Sequence, residues 1–415
     1  MSVPISHSPP YAPSPVPPAG GSGASADSAP APEMRRFATF DDMDLPDIIL
    51  RGVYSYGFEK PSDIQQKAIV PMMEGRDLLA QAPSGTGKTG TFIIGGLTQI
   101  DTSRNEVQMV VISPTRELAD QTYKVARGIG SYMGLRVHLA TGGPPVSEDL
   151  AVLNPARPSV PHLLAVTPGR FYDLLNRKAV NPATVRVLVL DEADQMLAAR
   201  FREQIHCILG LRWPATLQVA LLSATMVPEI RTVAATLLQN PVEILLEPEA
   251  VSLEGIKQYY VGLGREEEKL ETLCDIYDHL SIQQATIFVN TKQKAEWLAD
   301  QMKRRGFDLD FIHGEMPVED RKRRMEDFRS ARVRVLISTD LLGRGIDVQG
   351  ISLVINYELP VDRENYIHRI GRSGRYGRKG AAINLITPRE KRAQEEIESY
   401  YGKTVLPLPV DLNIF

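Results

Sequence analysis

Asp77-Leu78-Leu79-Ala80-Gln81-Ala82-Pro83-Ser84-Gly85-Thr86-Gly87-Lys88-Thr89 decides how this chain folds. Asp77-Leu78-Leu79-Ala80 reads as a buried strand, and Thr91-Phe92-Ile93-Ile94 as the start of a helix. The residues between them are small, so successive backbone N–H groups can turn inward onto an anion, and the helix N-terminus adds partial positive charge. Ala82, Pro83, Ser84, Gly85, Thr86, Gly87, Lys88 and Thr89 are therefore expected to cradle a nucleotide's phosphates. Lys88 would reach the β- and γ-phosphates, and the Thr89 hydroxyl would hold Mg²⁺. Ala82 stands where Gly is commoner, which costs backbone freedom and not space. A Gly-rich turn without a ligand would look the same in isolation; the register of Gly87-Lys88-Thr89 between strand and helix argues for the phosphate loop.

Working outward, the length of 415 residues predicts two domains. With 43% hydrophobic and 24% charged residues the composition is ordinary for a globular protein. No run of about eighteen apolar residues predicts a membrane span, and the N-terminus lacks a basic-then-apolar leader. Cys207 and Cys274 lie far apart, which suits a reducing compartment and predicts neither a disulfide framework nor a zinc site. The formal net charge of −4 excludes a global basic excess, so a polyanion would bind a local groove.

Residues 1–33 are rich in Pro, Ala, Ser and Gly without Lys or Arg, a composition expected to stay disordered. Asp41 to Tyr56 has helical spacing, with Leu45, Ile48, Ile49 and Val53 on one side. Gln65 follows Pro61-Ser62 at the next helix start; its amide can donate and accept at once, as reading the edge of adenine requires. Apolar runs at Val107–Ile112, Val137–Ala140, Leu163–Val166, Val185–Leu190 and Gln218–Leu222 alternate with helical stretches. After a break at Glu247–Ile256, a second series runs Ala285–Val289, Leu309–Ile312, Val333–Ser338, Leu353–Asn356 and Ala381–Ile386. Such alternation predicts parallel sheets covered on both faces, with ligands at the carboxyl ends of the strands. The expected division is a tail at 1–36, a first domain at 37–246, a linker at 247–256 and a second domain at 257–415.

Polar clusters follow the strands. Asp191-Glu192 offers one carboxylate for Mg²⁺ and one to orient an attacking water, although such a pair can also open a solvated helix. Arg369, Arg372 and Arg375 recur every three residues in the half without a phosphate loop. They suit stabilisation of charge on a transferring phosphoryl group, or else a basic loop for nucleic acid. Arg321-Lys322-Arg323-Arg324 reads as the solvated face of a helix, with a phosphate contact from Arg321 as the alternative. Thr115, Arg116, Gly142, Gly143, Thr167, Gly169 and Arg170 are short donors or bare backbone at strand ends, and Asn290, Thr291 and Thr339 occupy like places in the second series. As a set they predict sequence-independent contact with phosphate and sugar of a single strand.

Together, Gly57-Phe58 to Gln65, Ala82–Thr89, Pro114-Thr115-Arg116-Glu117-Leu118-Ala119, Thr167-Pro168-Gly169-Arg170, Asp191-Glu192-Ala193-Asp194, Ser223-Ala224-Thr225, Gly343-Arg344-Gly345-Ile346-Asp347 and His368–Arg375 resemble a DEAD-box RNA helicase over about residues 37–410. Phe40-Asp41-Asp42-Met43 and Arg363-Glu364-Asn365-Tyr366-Ile367 look closest to the eukaryotic initiation factor 4A branch. The resemblance implies two tandem RecA-like domains and an RNA-dependent ATPase using ATP and Mg²⁺. By it, Phe40 stacks on adenine, Asp347 meets the ribose, Asp191 manages Mg²⁺ beside Thr89, and Ser223 and Thr225 couple nucleotide to RNA. Arg372 and Arg375 become arginine fingers, with His368 and Arg369 bracing the interface. It further implies single-stranded RNA and short duplexes as substrates, a monomeric core on a helical-repeat scaffold, and a cytoplasmic role in translation initiation, with an ATP-dependent RNA clamp or a nuclear RNA-processing factor of exon-junction type as the alternative. The chain carries Val318 and Gly343 where the family usually has Gln and Ala.

Overall fold

The computed structural model describes residues 36–82, 85–197, 201–245, 256–280, 283–340, 351–373, 380–409 and 414. Pro83, Ser84, Gly343, Asp347 and Arg375, nearly all of the tail and all of the linker except Ile256 lie outside the described residues.

Two seven-stranded sheets carry the chain. The first contains β1 (Leu78–Gln81), β2 (Met109–Ile112), β3 (Val137–Ala140), β4 (Leu163–Val166), β5 (Val187–Asp191), β6 (Gln218–Ser223) and β7 (Val242–Leu245), in the order β3-β4-β2-β5-β6-β1-β7. The second contains β8 (Ile256–Gly262), β9 (Ala285–Phe288), β10 (Asp310–Ile312), β11 (Val335–Ser338), β12 (Leu353–Asn356), β13 (Gly380–Ile386) and β14 (Leu406–Pro407), in the order β10-β11-β9-β12-β13-β8-β14. Pairings throughout are parallel, so each crossover needs a helix and both faces are covered. This is why β2, β4, β5, β9, β11 and β12 are buried along their whole length and read as continuous apolar runs.

The apolar runs named from sequence all contain strands. β7, β8 and β14 have no continuous apolar run: β7 and β8 mix exposed and buried positions, β14 is exposed, and β7 and β14 are edge strands. The expected helix over Asp41–Tyr56 is instead a 3₁₀ turn at Asp41–Met43 and a helix at Asp47–Tyr56. Asp44 takes φ +54° and Pro46 stands at the N-cap, where its missing N–H costs nothing. Consequently Leu45, Ile49 and Val53 are buried while Ile48 faces solvent.

Register brings the chemistry to one edge. Gln81 pairs beside Ser223, and Asp191 beside Leu222, so the phosphate loop, Asp191-Glu192 and Ser223-Ala224-Thr225 emerge from three adjacent strands. Ala82 N–H donates to the Ser223 carbonyl at 2.9 Å, fixing where the loop departs. At the opposite end, the buried Asp77 carboxylate accepts from Val219 N at 2.7 Å and Gln239 N at 2.6 Å, tying the start of β1 to β6 and to the approach of β7.

The helix Asp47–Tyr56 packs on the helix Arg116–Ile129 through Gly52. A Cβ there would stand 1.9 Å from the Ile129 carbonyl oxygen, a backbone atom that no rotamer change can move aside. Gly52→Ala is expected to destabilise the first domain by about 1–3 kcal/mol, lowering the melting temperature measured by calorimetry. An unchanged melting point would mean the two helices do not approach this closely.

Candidate nucleotide site and nucleic-acid cleft

Lys88 opens the helix Lys88–Leu97, and its side chain is buried against Glu192, Nζ to Oε1 3.2 Å. Gly87, at φ +99°, precedes it, and a Cβ there would come within 2.8 Å of Gln65 Nε2. Left-handed backbone and close approach together require glycine at this position. Gln65 donates through Nε2 to the Gly87 carbonyl at 3.3 Å and accepts the Ser62 N–H at 2.9 Å, so its amide braces the phosphate loop from behind. Thr89 lies half-buried in the first helical turn.

Phe40 is fully buried, with the Tyr54 and Phe58 rings each 6.2 Å away. A covered ring has no face to offer adenine, so the expected stacking does not occur in this conformation. The sequence pattern located the residue but could not show that its neighbours are aromatic.

Asp191 ends β5, is buried, and leaves Oδ1 without a hydrogen-bond partner among the described residues. Burial, and then the neighbouring Glu192 carboxylate, push its pKa up to about 7. Glu192 takes φ +54°, a left-handed conformation that costs a non-glycine residue energy and turns its side chain towards Lys88. An orphaned carboxylate oxygen of Asp191, the Glu192 carboxylate and the hydroxyl of Thr89, the residue after Lys88, form an all-oxygen donor set. That set fits Mg²⁺, which takes few protein ligands and keeps water and phosphate oxygens.

From here a polar chain leads to the second sheet. Ser223 Oγ donates to the Thr225 carbonyl at 2.7 Å, Thr225 Oγ1 donates to Asp194 at 2.9 Å, and His368 Nε2 lies 3.6 Å from the same carboxylate. Arg372 is buried and donates through Nε to the His368 carbonyl at 2.9 Å. Arg369 does not brace this interface. It is fully buried within the second domain, bonded to Asp340, the Glu358 carbonyl at 2.6 Å, Asn290 Oδ1 at 2.8 Å and Asn356 Oδ1 at 3.3 Å. A guanidinium has enough donors to tie several strand ends at once, and one so deeply buried must be satisfied this way.

A cleft of about 1090 Å³ runs alongside, lined by both halves of the chain. Thr115, Arg116, Gly142, Thr167, Gly169 and Arg170 come from the first half, and Asn290 and Thr339 from the second. Gly143 and Thr291 are not in the lining. Gly143, at φ +108°, makes room for Arg116, whose Nη1 would be 2.4 Å from an added Cβ. Thr291 caps the helix Lys292–Arg304 by accepting the Lys294 N–H at 3.2 Å.

Most cations of the cleft are already matched. Arg321, far from being a solvated helix face, is buried and pairs with Glu117 at 2.8 Å; Arg170 pairs with Asp149, and Lys292 with Glu315. Arg116 donates to Thr141 Oγ1 at 3.2 Å, and among the described residues no salt bridge to a carboxylate holds it; burial and then the nearby Arg321 lower its pKa from the usual guanidinium value. Asp173, Phe201, Gln293, His313 and Met316 also line the cleft and were not singled out as contacts. For Arg321 a signal existed: Arg321, Met325 and Phe328 fall four and seven residues along one helix face, and all three are buried.

Known proteins bear directly on this arrangement. The DEAD/DEAH box helicase profile matches residues 62–233, and the helicase conserved C-terminal domain matches residues 268–377. S. cerevisiae Dbp5 bound to RNA and ADP-BeF3 is 32% identical over 89% of this chain and 95% of its own, with a TM-score of 0.82. A variant of the same protein bound to Gle1 and IP6 is 32% identical over 91% and 96%, with a TM-score of 0.75. A DEAD-box protein of the hyperthermophile Methanococcus jannaschii is 33% identical over 90% and 100%, with a TM-score of 0.54. The chain belongs to the DEAD-box helicase family, with two tandem RecA-like domains. It is an RNA-dependent ATPase and helicase that uses ATP with Mg²⁺.

Two outcomes follow for the nucleotide site. Lys88→Ala and Glu192→Gln should each lower RNA-stimulated phosphate release at least about a hundredfold, the first by loss of phosphate binding, the second with nucleotide still bound. Near-normal turnover in either would remove these residues from the site.

The raised pKa of Asp191 also sets a pH dependence. The folded, nucleotide-free protein holds a proton that the unfolded chain has released by pH about 4, so its stability falls as pH rises towards 7. Asp191→Asn cannot ionise there. Its melting temperature, measured without Mg²⁺ or nucleotide, should exceed the parent's by about a few degrees more at pH 8 than at pH 5. A constant difference would refute the shift.

Proposed function

We propose that the chain grips the sugar–phosphate backbone of single-stranded RNA in this cleft and, by closing around ATP and RNA, locally separates short duplexes. The observation that carries the reading is that one cleft draws its donors from both domains, while the chain Ser223–Thr225–Asp194–His368 joins the same two domains beside the nucleotide site. The likeness to Dbp5 supports it: the TM-score is higher to the RNA-bound form than to the Gle1-bound form at equal identity.

The residues divide the work. Lys88 exchanges the Glu192 carboxylate for phosphate oxygens when ATP enters, which frees Glu192 to accept a proton from the attacking water. Bound Mg²⁺ supplies charge neutralisation at the phosphates, with Asp191 and Thr89 as the residues that would hold it. Arg372 sits on the His368 turn, so domain closure sets how near its guanidinium comes to the transferring group. Thr225 and His368 share Asp194, so the positions of β6 and of the arginine-bearing helix respond together.

At a finer level, the motif likeness to initiation factor 4A supports a cytoplasmic role in translation initiation on a helical-repeat scaffold. The likeness to Dbp5, solved bound to Gle1 and IP6, supports a helicase governed by a partner of that kind. Affinity capture of the tagged full chain from its source cells separates the two, by recovery of initiation factors or of Gle1-like proteins.

RNA should bind more tightly than DNA of the same sequence, because short donors at strand ends can reach 2′-hydroxyls. Arg116→Ala should weaken binding about tenfold and reduce the salt slope by about one, read by fluorescence anisotropy over a salt series. Indifference to the sugar, or an unchanged slope, would place the nucleic acid elsewhere.

A further inference from the structure

Two residues outside the motifs quoted above stand behind Arg170. β3 alternates its side chains: Val137 and Leu139 pack into one core and Ala140 into the other, so His138 points to the Ala140 side. There it meets Asp149, from the helix Val146–Val152, at 2.7 Å between Nε2 and Oδ1. Asp149 is only 4% exposed, and a carboxylate so buried needs partners for both oxygens. The second oxygen accepts from Arg170 Nη1.

Arg170 is held at a further point, donating through Nη2 to the Pro144 carbonyl at 2.7 Å. Its side chain is 9% exposed and lines the cleft. A guanidinium carries five N–H donors. Two are spent on Asp149 and Pro144, on one side of the group, and among the described residues no other bond to Arg170 occurs. The remaining donors are left for what enters the cleft. Neither Asp149 nor His138 is among the residues that line the cleft.

We propose that Asp149 is a positioning residue for RNA binding: it clamps the Arg170 guanidinium so that its free N–H edge addresses a backbone phosphate, with His138 holding Asp149 from behind. A long arginine side chain loses much rotamer freedom when it binds, and a buried carboxylate that fixes it beforehand removes that cost from the RNA-bound state. Rigid placement also suits bidentate phosphate recognition, which depends on the angle of the fork. The carboxylate has an opposite effect as well, since it offsets the guanidinium charge. Positioning is the larger of the two in this proposal, and Asp149→Asn decides it: weaker RNA binding supports that order, and unchanged or tighter binding overturns it. The inference rests on the cleft being the RNA path.

The test uses the full chain, a fluorescein-labelled single-stranded RNA and RNA-stimulated ATPase at saturating ATP. Asp149→Asn should raise the RNA concentration needed for half-maximal turnover about fivefold, while turnover at saturating RNA stays within about twofold. Combined with Arg170→Gln it should weaken RNA binding no further than Arg170→Gln alone. Asp149→Glu, which keeps the charge and the acceptor, should restore most of the affinity. His138→Gln, which can still donate to Asp149, should shift the RNA dependence about twofold, and only when Arg170 is present. This milder variant keeps the idea testable if Asp149→Asn melts below the assay temperature. Additive losses for Asp149 and Arg170, or equal falls in turnover and RNA affinity, would overturn the proposal and leave Asp149 a fold residue. If Arg116→Ala and Arg170→Gln both leave RNA binding intact, the cleft reading fails and this inference falls with it.

Discussion

The buried contact between Lys88 and Glu192 is the interaction on which the rest of the nucleotide site depends. Each group would be costly to bury alone, and together they neutralise one another at the edge of the sheet. Glu192 reaches Lys88 from a left-handed backbone position, a strain that the surrounding strands impose because Asp191 is already committed to β5. In the proposed mechanism an incoming phosphate displaces this contact, so nucleotide entry and the release of the Glu192 carboxylate are the same event.

The cleft follows the opposite rule. Most of its cations are matched in advance by carboxylates: Arg321 by Glu117 across the two halves of the chain, Arg170 by Asp149, and Lys292 by Glu315. This agrees with the net charge of −4, which gives no long-range attraction for a polyanion. Affinity must come from donors held in place and not from a field, which suits a protein that has to release its strand after each cycle. The Arg321–Glu117 pair has a second consequence. It joins the motif that opens the helix Arg116–Ile129 to the helix Val318–Arg329, so the cleft's own walls contribute to holding the domains together.

Arg369 shows why a motif does not disclose its own geometry. Its spacing with Arg372 in the sequence invites one role for both. In the structure Arg369 faces inward, binding Asp340, Asn290, Asn356 and the Glu358 carbonyl, while Arg372 turns back on His368. The helix Arg363–Ile370 ends between them, and the chain direction changes there. Asn290, read as an RNA contact, thus has its amide oriented by Arg369 and by the Leu359 carbonyl at 2.8 Å.

The alternation of strands and helices, the phosphate loop, the strand-end carboxylates and the family were all legible in the residues themselves, because each is local: a period, a spacing, or a small residue before a helix. The sequence also placed most of the cleft, since parallel sheets put their loops on one edge whatever the strand order. It could not show that Phe40 is covered, that Arg321 pairs with Glu117, or that Asp149 and His138 support Arg170. Those facts depend on which strands are neighbours and which helix lies across which strand, and strand order is not written in any local period. Tertiary structure alone decided the pairings of charge, because a buried ion pair is fixed by the distance between two folded elements and not by the number of residues between them.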